Sequence, residues 1–396
     1  MLKLGQIRKD AAIPGIEPWQ VVRVVPFKRK GRIAPEPMKM LVEKLASERA
    51  LTRDEYVQVL NHAATLTEKT VFTDPVTSAL FAEASAVRHK IYGTSVYTRG
   101  LIEFTNYCKN NCYYCGIRRG NKNCERYRLN REQILSCCAQ GYELGFRTFV
   151  LQGGEDPRYT DAVMVDIVSA VRERFPDCAI TLSLGERTRE NYEALFRAGA
   201  NRYLLRHETA NKAHYAKLHP SKMSLDYRKQ CLNWLKDIGY QIGCGFMVCS
   251  PFQTLENLAE DLLFIGELNP HMVGIGPFIP HKDTVFAEAP HEVGKKLVLT
   301  LTLLGIIRLM LPNVLLPATT ALGTLHPLGR EYGIKVGGNV VMPNLSPVDV
   351  RKKYLLYDGK ICTGDEAAEC RHCLQRRMKS IGYDVEISRG DYKCTM

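Results

Sequence analysis

The sequence predicts a (β/α)8 TIM barrel of the α/β class, with an N-terminal helical segment and a C-terminal extension. Three observations predict it. Eight short β-rich runs alternate with amphipathic helical runs over about 250 residues, the proportion of such a barrel. No glycine-rich dinucleotide loop follows the first strand, which disfavours a doubly wound sheet. The chain has 396 residues, 45% of them hydrophobic, enough to bury one large core.

Residues 1–37 read as a basic N-terminal arm, Pro- and Lys/Arg-rich, in which eight Lys/Arg face three acids for a local excess of +5. Residues 38–94 read as helices: Met38, Leu41, Leu45 and then Tyr56, Val57, Leu60 recur at three- and four-residue steps. Thr52 followed three residues on by Glu55 is a capping-box pattern. The barrel is expected over 95–345. Its strands are Val96–Phe104, Thr148–Gln152, Ile180–Ser183, Arg202–Arg206, Gln241–Met247, Met272–Gly276, Leu315–Thr319 and Val340–Met342. Helical patterns over Arg131–Leu144, Asp161–Arg174, Leu225–Ile238 and Leu255–Glu267 separate them. Leu297 to Leu311 is the most apolar stretch, but Arg308 interrupts it and Pro312 ends it, so it reads as a buried helix rather than a membrane span. Residues 346–396 form a C-terminal segment with an auxiliary cysteine cluster and a polar tail.

With 24% charged residues the chain is an ordinary globular protein. Its net charge of +12 suits an anionic substrate, an acidic surface or nucleic acid. The plainer reading is a solvated basic face with a basic arm. No secretory h-region opens the chain, and a cytoplasmic location is expected. Fourteen cysteines without an export signal favour reduced thiols and metal ligands over a disulfide framework.

Cys108, Cys112 and Cys115 stand at C-x3-C-x2-C just past the first strand. Short spacings let one loop wrap one metal centre, and three thiolates on a 4Fe–4S cubane leave the fourth iron open to an outside ligand. Zinc would want a fourth ligand, for which Cys124 is available. The triplet, with the aromatic Tyr114 before its last cysteine, resembles the signature of the radical S-adenosylmethionine superfamily. That resemblance implies reductive cleavage of S-adenosylmethionine to a 5′-deoxyadenosyl radical, with the cluster and cosubstrate supplying the hard chemistry.

Further motifs lie at predicted strand ends, where a barrel carries its active site. Gly153-Gly154-Glu155 lets a ligand approach the backbone closely, although alone it is merely a turn. Thr181 and Ser183 place two hydroxyls on one strand face. Arg202, Leu204, Arg206 and Glu208 share a face, a costly row of charges outside a polar cavity unless Arg206 and Glu208 simply pair at a rim. These runs, with Val273–His281, Pro317–Thr324 and Asn339–Asn344, resemble the FeFe-hydrogenase maturase HydE family over about residues 40–390.

The resemblance implies a radical enzyme of H-cluster maturation acting on a cysteine-bound Fe(CO)2(CN) precursor of the 2Fe subcluster. It implies HydG and HydF maturases and an electron donor as partners, and no membrane. Carried over by motif, Tyr114, Gly153, Gly154, Glu155, Thr181, Ser183, Arg206, Glu208 and Arg228 would bind S-adenosylmethionine. Arg202, Thr319, Thr320, Met342 and Tyr357 would line the substrate cavity, where guanidinium and hydroxyl donors suit an anionic complex. Thr319 and Thr320 also read as plain β-formers. Cys362, Cys370 and Cys373 match a second iron–sulfur site, 2Fe–2S or 4Fe–4S, seen in some members, or are unligated thiols. One departure stands out: Met247-Val248-Cys249-Ser250-Pro251-Phe252 replaces a glycine-rich turn of the family. Rival readings are a methylornithine-synthase-like or other biotin-synthase-like enzyme acting on an amino acid. A nucleic-acid protein using the basic charge is disfavoured by the lack of an aromatic RNP-type run.

Overall fold

A computed structural model describes residues 35–364 and 366–394. Most of the basic arm, 1–34, lies outside the described residues, as do the side chains of 366–372. Three helices come first: α1 (Pro35–Glu48), α2 (Arg53–Ala63) and α3 (Pro75–Tyr92). Thr52 caps α2 with the expected box, its side chain taking the Glu55 amide while Glu55 takes the Thr52 amide. Asp74 caps α3 through the amides of Val76 and Thr77, with Pro75 at the first helical position.

The expected first strand divides. β1 (Ser95–Thr98) and β2 (Gly100–Thr105) are separate strands. At Gly100 an added Cβ would meet Leu345 Cδ1 at 2.2 Å, so a larger residue at the switch would require the buried Leu345 side chain to shift. β2, β3 (Thr148–Gly153), β4 (Ala179–Ser183), β5 (Arg202–Leu204), β6 (Gln241–Cys244) and β8 (Met272–Val273) form a parallel sheet in that order. β7 (Met247–Val248) and β9 (Gly276–Pro277) pair separately above β6 and β8. The break falls at Gly245, where an added Cβ would meet Gly274 O at 2.0 Å.

The expected strand Leu315–Thr319 is present only as isolated bridges, Met272 to Leu315 and Pro317 to Val340. Pro317 has no amide to give a ladder, which accounts for the interruption. Those bridges still close the barrel. Val273 N donates to Leu315 O, Ala318 N to Val340 O, and Leu101 N to Pro343 O. β10 (Val340–Val341) pairs with β1, and a parallel bridge from Leu101 to Asn344 returns the chain to β2.

Helices α4 (Arg131–Glu143), α5 (Asp161–Arg174), α8 (Leu225–Ile238) and α9 (Leu255–Leu268) follow the predicted runs. The short α6 (Arg189–Arg197), α7 (Lys212–Leu218), α11 (Thr320–Leu325), α12 (Gly329–Lys335) and α13 (Val348–Arg351) are additions. α10 (Val293–Met310) is buried on every side from Leu297 to Met310, because α1, α2 and α3 cover the flank it turns from the barrel. Its Arg308 is satisfied inside by the carbonyls of Gly337 and Pro312 and by Asn339 Oδ1. No described helix is long and apolar enough to cross a membrane.

The C-terminal segment packs on the barrel at both ends. Residues 353–362 cross the strands' C-terminal ends, with Gly116 N donating to Leu356 O and Asp358 N to Pro280 O. A buried ion pair ties them down: Lys360 Nζ lies 2.5 Å from Glu103 Oε1 on β2. After α14 (Glu366–Ser380), β11 (Asp384–Glu386) pairs parallel with β1. The following residues close the opposite end of the barrel. A polar tail in the sequence is therefore partly a strand.

Candidate active site

A cavity of about 290 Å³ opens at the C-terminal ends of the barrel strands. Cys108, Cys112 and Cys115 line it from the loop after β2, together with Tyr114. Gly153, Gly154 and Glu155 line it from the end of β3, Ser183 from β4, and Arg206 and Glu208 from just beyond β5. Arg228 on α8, Thr319 and Tyr357 complete the sequence-derived residues that the structure brings together there.

The two loops fit by close backbone contact. A Cβ at Gly154 would meet Tyr107 O at 2.1 Å and Cys108 Cβ at 2.8 Å. Asp156 anchors the same region: its carboxylate accepts Thr105 Oγ1 at 2.8 Å, Arg128 Nε at 2.6 Å and Nη2 at 2.9 Å, and the Arg158 amide. Burial alone would raise this carboxyl, but those donors hold it below the usual carboxylate range. A depressed carboxyl stabilises the fold fully above its unfolded value near 4, and that stability is lost as pH falls through the folded value. Asp156→Asn is thus expected to cost roughly 1–3 kcal/mol at neutral pH, because it removes the charge opposite Arg128, whose side chain is 31% exposed and can reach water. It should also flatten the acid limb of stability against pH. Denaturant titrations at pH 7 and below pH 4 check both.

The thiols show what they need. Burial pushes all three upward, Cys115 to about 12 and Cys112 well above the free value, with the charges of neighbouring thiols adding to it at Cys112 and Cys115 and Glu155 adding to it at Cys108. Three half-buried thiolates on one cavity wall would repel one another, and the positive charge of an iron–sulfur core would stabilise them. Among the described residues, no three His, Cys, Asp or Glu side chains converge on a single-ion site. A cubane, whose irons are spread over its corners, asks for thiols around it rather than at one point. Cys124 is not on the cavity wall; its Sγ receives the Asn106 amide at 3.6 Å.

The polar wall is left incomplete by the protein itself. Arg206 Nη2 lies 3.1 Å from Glu208 Oε2 without hydrogen-bond alignment, so both atoms are buried with no hydrogen bond. Glu155 Oε2, 3.2 Å from Lys109 Nζ, is in the same condition. Carboxylates and a guanidinium with spare capacity fit the ammonium and carboxylate of an amino-acid headgroup. Arg228 is engaged with Glu186 at 2.5 Å and with Arg206 O at 2.9 Å.

Several lining residues were not assigned to the site from the sequence. Tyr354 and Leu356 reach the cavity only because residues 353–362 cross the barrel, and Phe278 and Ile279 follow β9. His219, 105 residues from Tyr114, orients that ring: its Nδ1 lies 3.0 Å from Tyr215 O and must carry the proton there, so Nε2 accepts the Tyr114 hydroxyl at 3.2 Å. Burial, then Arg228, pushes His219 down to about 3, keeping it neutral.

Four expectations need correction. Arg202 is absent from the cavity wall. It opens β5 at the far end of the barrel and is wholly buried, binding Asp391 at 2.6 Å, Arg389 O at 3.0 Å and Gln241 Oε1 at 3.0 Å. Four residues of extended strand rise about 13 Å, enough to move Arg202 from the cavity of Arg206 to the opposite mouth. Thr181 lies below Ser183 on the same face, outside the lining, its hydroxyl buried without a partner. Thr320 starts α11 behind its cap Thr319, and only Thr319 lines the cavity. Met342 packs with the cluster of Tyr92, Tyr97 and Met272.

At the altered turn, Cys249 and Phe252 both hold left-handed backbone, at φ 58° and 64°. The glycine-like path survives with bulky residues at a cost in strain. Cys362 also has left-handed backbone at φ 63°, and its Sγ lies 3.2 Å from Arg330 Nη2. Cys373 is exposed and beside Arg376, while the Cys370 side chain lies outside the described residues.

The Radical SAM superfamily pattern matches residues 102–265. The FeFe hydrogenase maturase subunit HydE of Thermotoga maritima is 44% identical over 342 residues, 86% of this chain and 94% of that protein. The 3-methylornithine synthase of Methanosarcina acetivorans is 28% identical over 264 residues, 66% of this chain and 73% of that protein. Among solved structures, a methylornithine synthase superposes with a TM-score of 0.72 at 24% identity, covering 87% of this chain and 97% of that one. HydG, a maturase of the FeFe-hydrogenase, gives 0.72 at 19% identity, covering 89% and 76%. Both share the barrel fold.

Proposed function

Because this chain is a radical S-adenosylmethionine enzyme and belongs to the HydE family of FeFe-hydrogenase maturases, we propose that it processes a precursor of the hydrogenase 2Fe subcluster. The substrate is a small cysteine-bound Fe(CO)2(CN) complex, received from HydG and passed on toward HydF. The observation that carries this reading is the 44% identity across nearly the whole of a HydE protein, joined to a cavity whose wall offers three thiols and underused polar groups.

Cys108, Cys112 and Cys115 hold a 4Fe–4S cluster. Bound together, the cluster and S-adenosylmethionine supply a 5′-deoxyadenosyl radical. Glu155 and Glu208 take the methionyl ammonium, Arg206 its carboxylate, and Ser183 and Arg228 further polar groups. The Gly153–Gly154 backbone approaches closely because no Cβ intervenes. Tyr114, set by His219, backs the adenine. Thr319 and Tyr357 face the substrate, and residues 353–362 roof the cavity and keep water from a reactive radical. The second cluster at Cys362, Cys370 and Cys373 is accessory, the electron donor is a separate protein, and the enzyme works in the cytoplasm.

The test is anaerobic maturation of apo-hydrogenase with every component but this protein. Hydrogen evolution that depends on adding the reconstituted chain is the expected result. Cleavage of S-adenosylmethionine with hydrogenase left inactive would overturn the maturase reading and leave a radical enzyme with another substrate, such as an amino acid.

A further inference from the structure

Glu208 is held at φ 66°, a left-handed conformation that a long side chain adopts only where its surroundings impose it. Its amide donates to Gly245 O at 3.0 Å and its carbonyl receives Met247 N at 3.4 Å. What secures the residues on either side is less obvious. His207 points away from the cavity and is wholly buried, as is Asp261 on α9. The Gly245 amide donates to His207 Nδ1 at 3.3 Å, so in the neutral ring the proton sits on Nε2. That nitrogen lies 3.3 Å from Asp261 Oδ1, and the same oxygen accepts the Ala210 amide. A single carboxyl oxygen on a surrounding helix therefore faces the residue before Glu208 and grips the backbone two residues after it.

The arrangement is expensive. His207 Nε2 and Asp261 Oδ2 are buried with no hydrogen bond, where an apolar pair would carry no such penalty. Burial pushes the Asp261 carboxyl well up and the His207 imidazole well down, so the contact acts through geometry rather than as an ion pair. Thr209 and Asn211, on the same segment, are tied by His214 Nδ1 at 3.0 Å and Glu260 Oε2 at 2.7 Å. The buried His207, His214 and Asp261 converge on the segment that carries Arg206 and Glu208.

We propose that Asp261, through His207 and the Ala210 amide, is a positioning residue that holds Arg206 and Glu208 in the geometry that binds S-adenosylmethionine. Outer-shell partners of this kind matter by fixing the orientation of the groups that touch the ligand. The proposal rests on the reading of Arg206 and Glu208 as ligands of that cosubstrate.

The experiment is anaerobic equilibrium binding of S-adenosylmethionine to the cluster-loaded protein, with iron content and thermal midpoint measured alongside. Asp261→Ala should weaken binding roughly ten- to hundred-fold at temperatures where the variant is folded, with iron unchanged. Asp261→Asn, which keeps the oxygen that both contacts use, should retain most of the wild-type affinity. Wild-type affinity in folded Asp261→Ala, or an equal loss in Asp261→Asn, would overturn the proposal. Should Asp261→Ala fail to fold, His207→Asn carries the test, since it keeps an acceptor for Gly245 but cannot reach Asp261. Undiminished affinity there overturns the proposal too. Failure of the wild-type chain itself to bind S-adenosylmethionine would instead overturn the functional reading on which the proposal rests.

Discussion

Cys112→Ala is expected to reduce 5′-deoxyadenosine formation to background and to leave the reconstituted protein with less bound iron. Cys112 is the middle thiol of the triplet, set between Cys108 and Cys115 on one wall of the cavity. Removing it leaves two protein ligands for a cluster that the loop can otherwise hold with three. Cys108 and Cys115, half-buried, would keep thiols pushed upward with too little iron to stabilise the thiolates. Cys124→Ala, outside the cavity wall, should keep both iron and deoxyadenosine formation. Iron analysis and product chromatography on the two variants check the assignment. A Cys112→Ala protein that still cleaves the cosubstrate would place the cluster elsewhere.

Arg202→Leu is expected to destabilise the fold by roughly 3 kcal/mol while leaving S-adenosylmethionine affinity unchanged. The guanidinium is fully buried and donates to Thr148 Oγ1, Gln241 Oε1, two carbonyls of residues 389 and 390, and Asp391. Leucine would fill part of the volume but leave those acceptors unpaired, at about 1–3 kcal/mol for each one that water cannot reach. Asp391 is partly exposed and can turn to solvent, which limits the loss. Relief of Arg202's repulsion on the nearby buried Arg99 offsets a little more. The tail beyond β11 should become more susceptible to proteolysis, since Arg202 is one of its main attachments to the barrel. Denaturant midpoints, and product formation measured at temperatures where the variant is folded, separate this role from a place in the substrate cavity. A large loss of product formation with unchanged stability and unchanged S-adenosylmethionine affinity would return Arg202 to the substrate cavity.

Much of the active-site cavity was readable because its residues are local in sequence. The cysteine loop, Gly153-Gly154-Glu155, and Arg206 with Glu208 each occupy one strand end, and strand ends of a barrel face one another. Helix limits were also readable, since capping side chains and 3.6-residue periodicity act within a few residues, as at Thr52 and over Asp161–Arg174. Depth along a strand was not. Arg202 and Arg206 share a face, yet one lies at the closed mouth and the other in the cavity, because face follows from alternation and height from the register of neighbouring strands.

Alternating apolar runs and short ligand spacings are local properties, so a parallel barrel around a three-cysteine loop is legible along the chain. What roofs the cavity, what closes the opposite mouth and what holds the polar wall in place follow from long-range packing. Tyr354 and Tyr357 arrive through the Lys360–Glu103 pair, 257 residues apart. The Asp391–Arg202 contact spans 189 residues, and Asp261 reaches His207 from a helix outside the barrel. Such contacts form only after the barrel has brought distant segments together. Their energies depend on burial, which no single stretch of sequence contains.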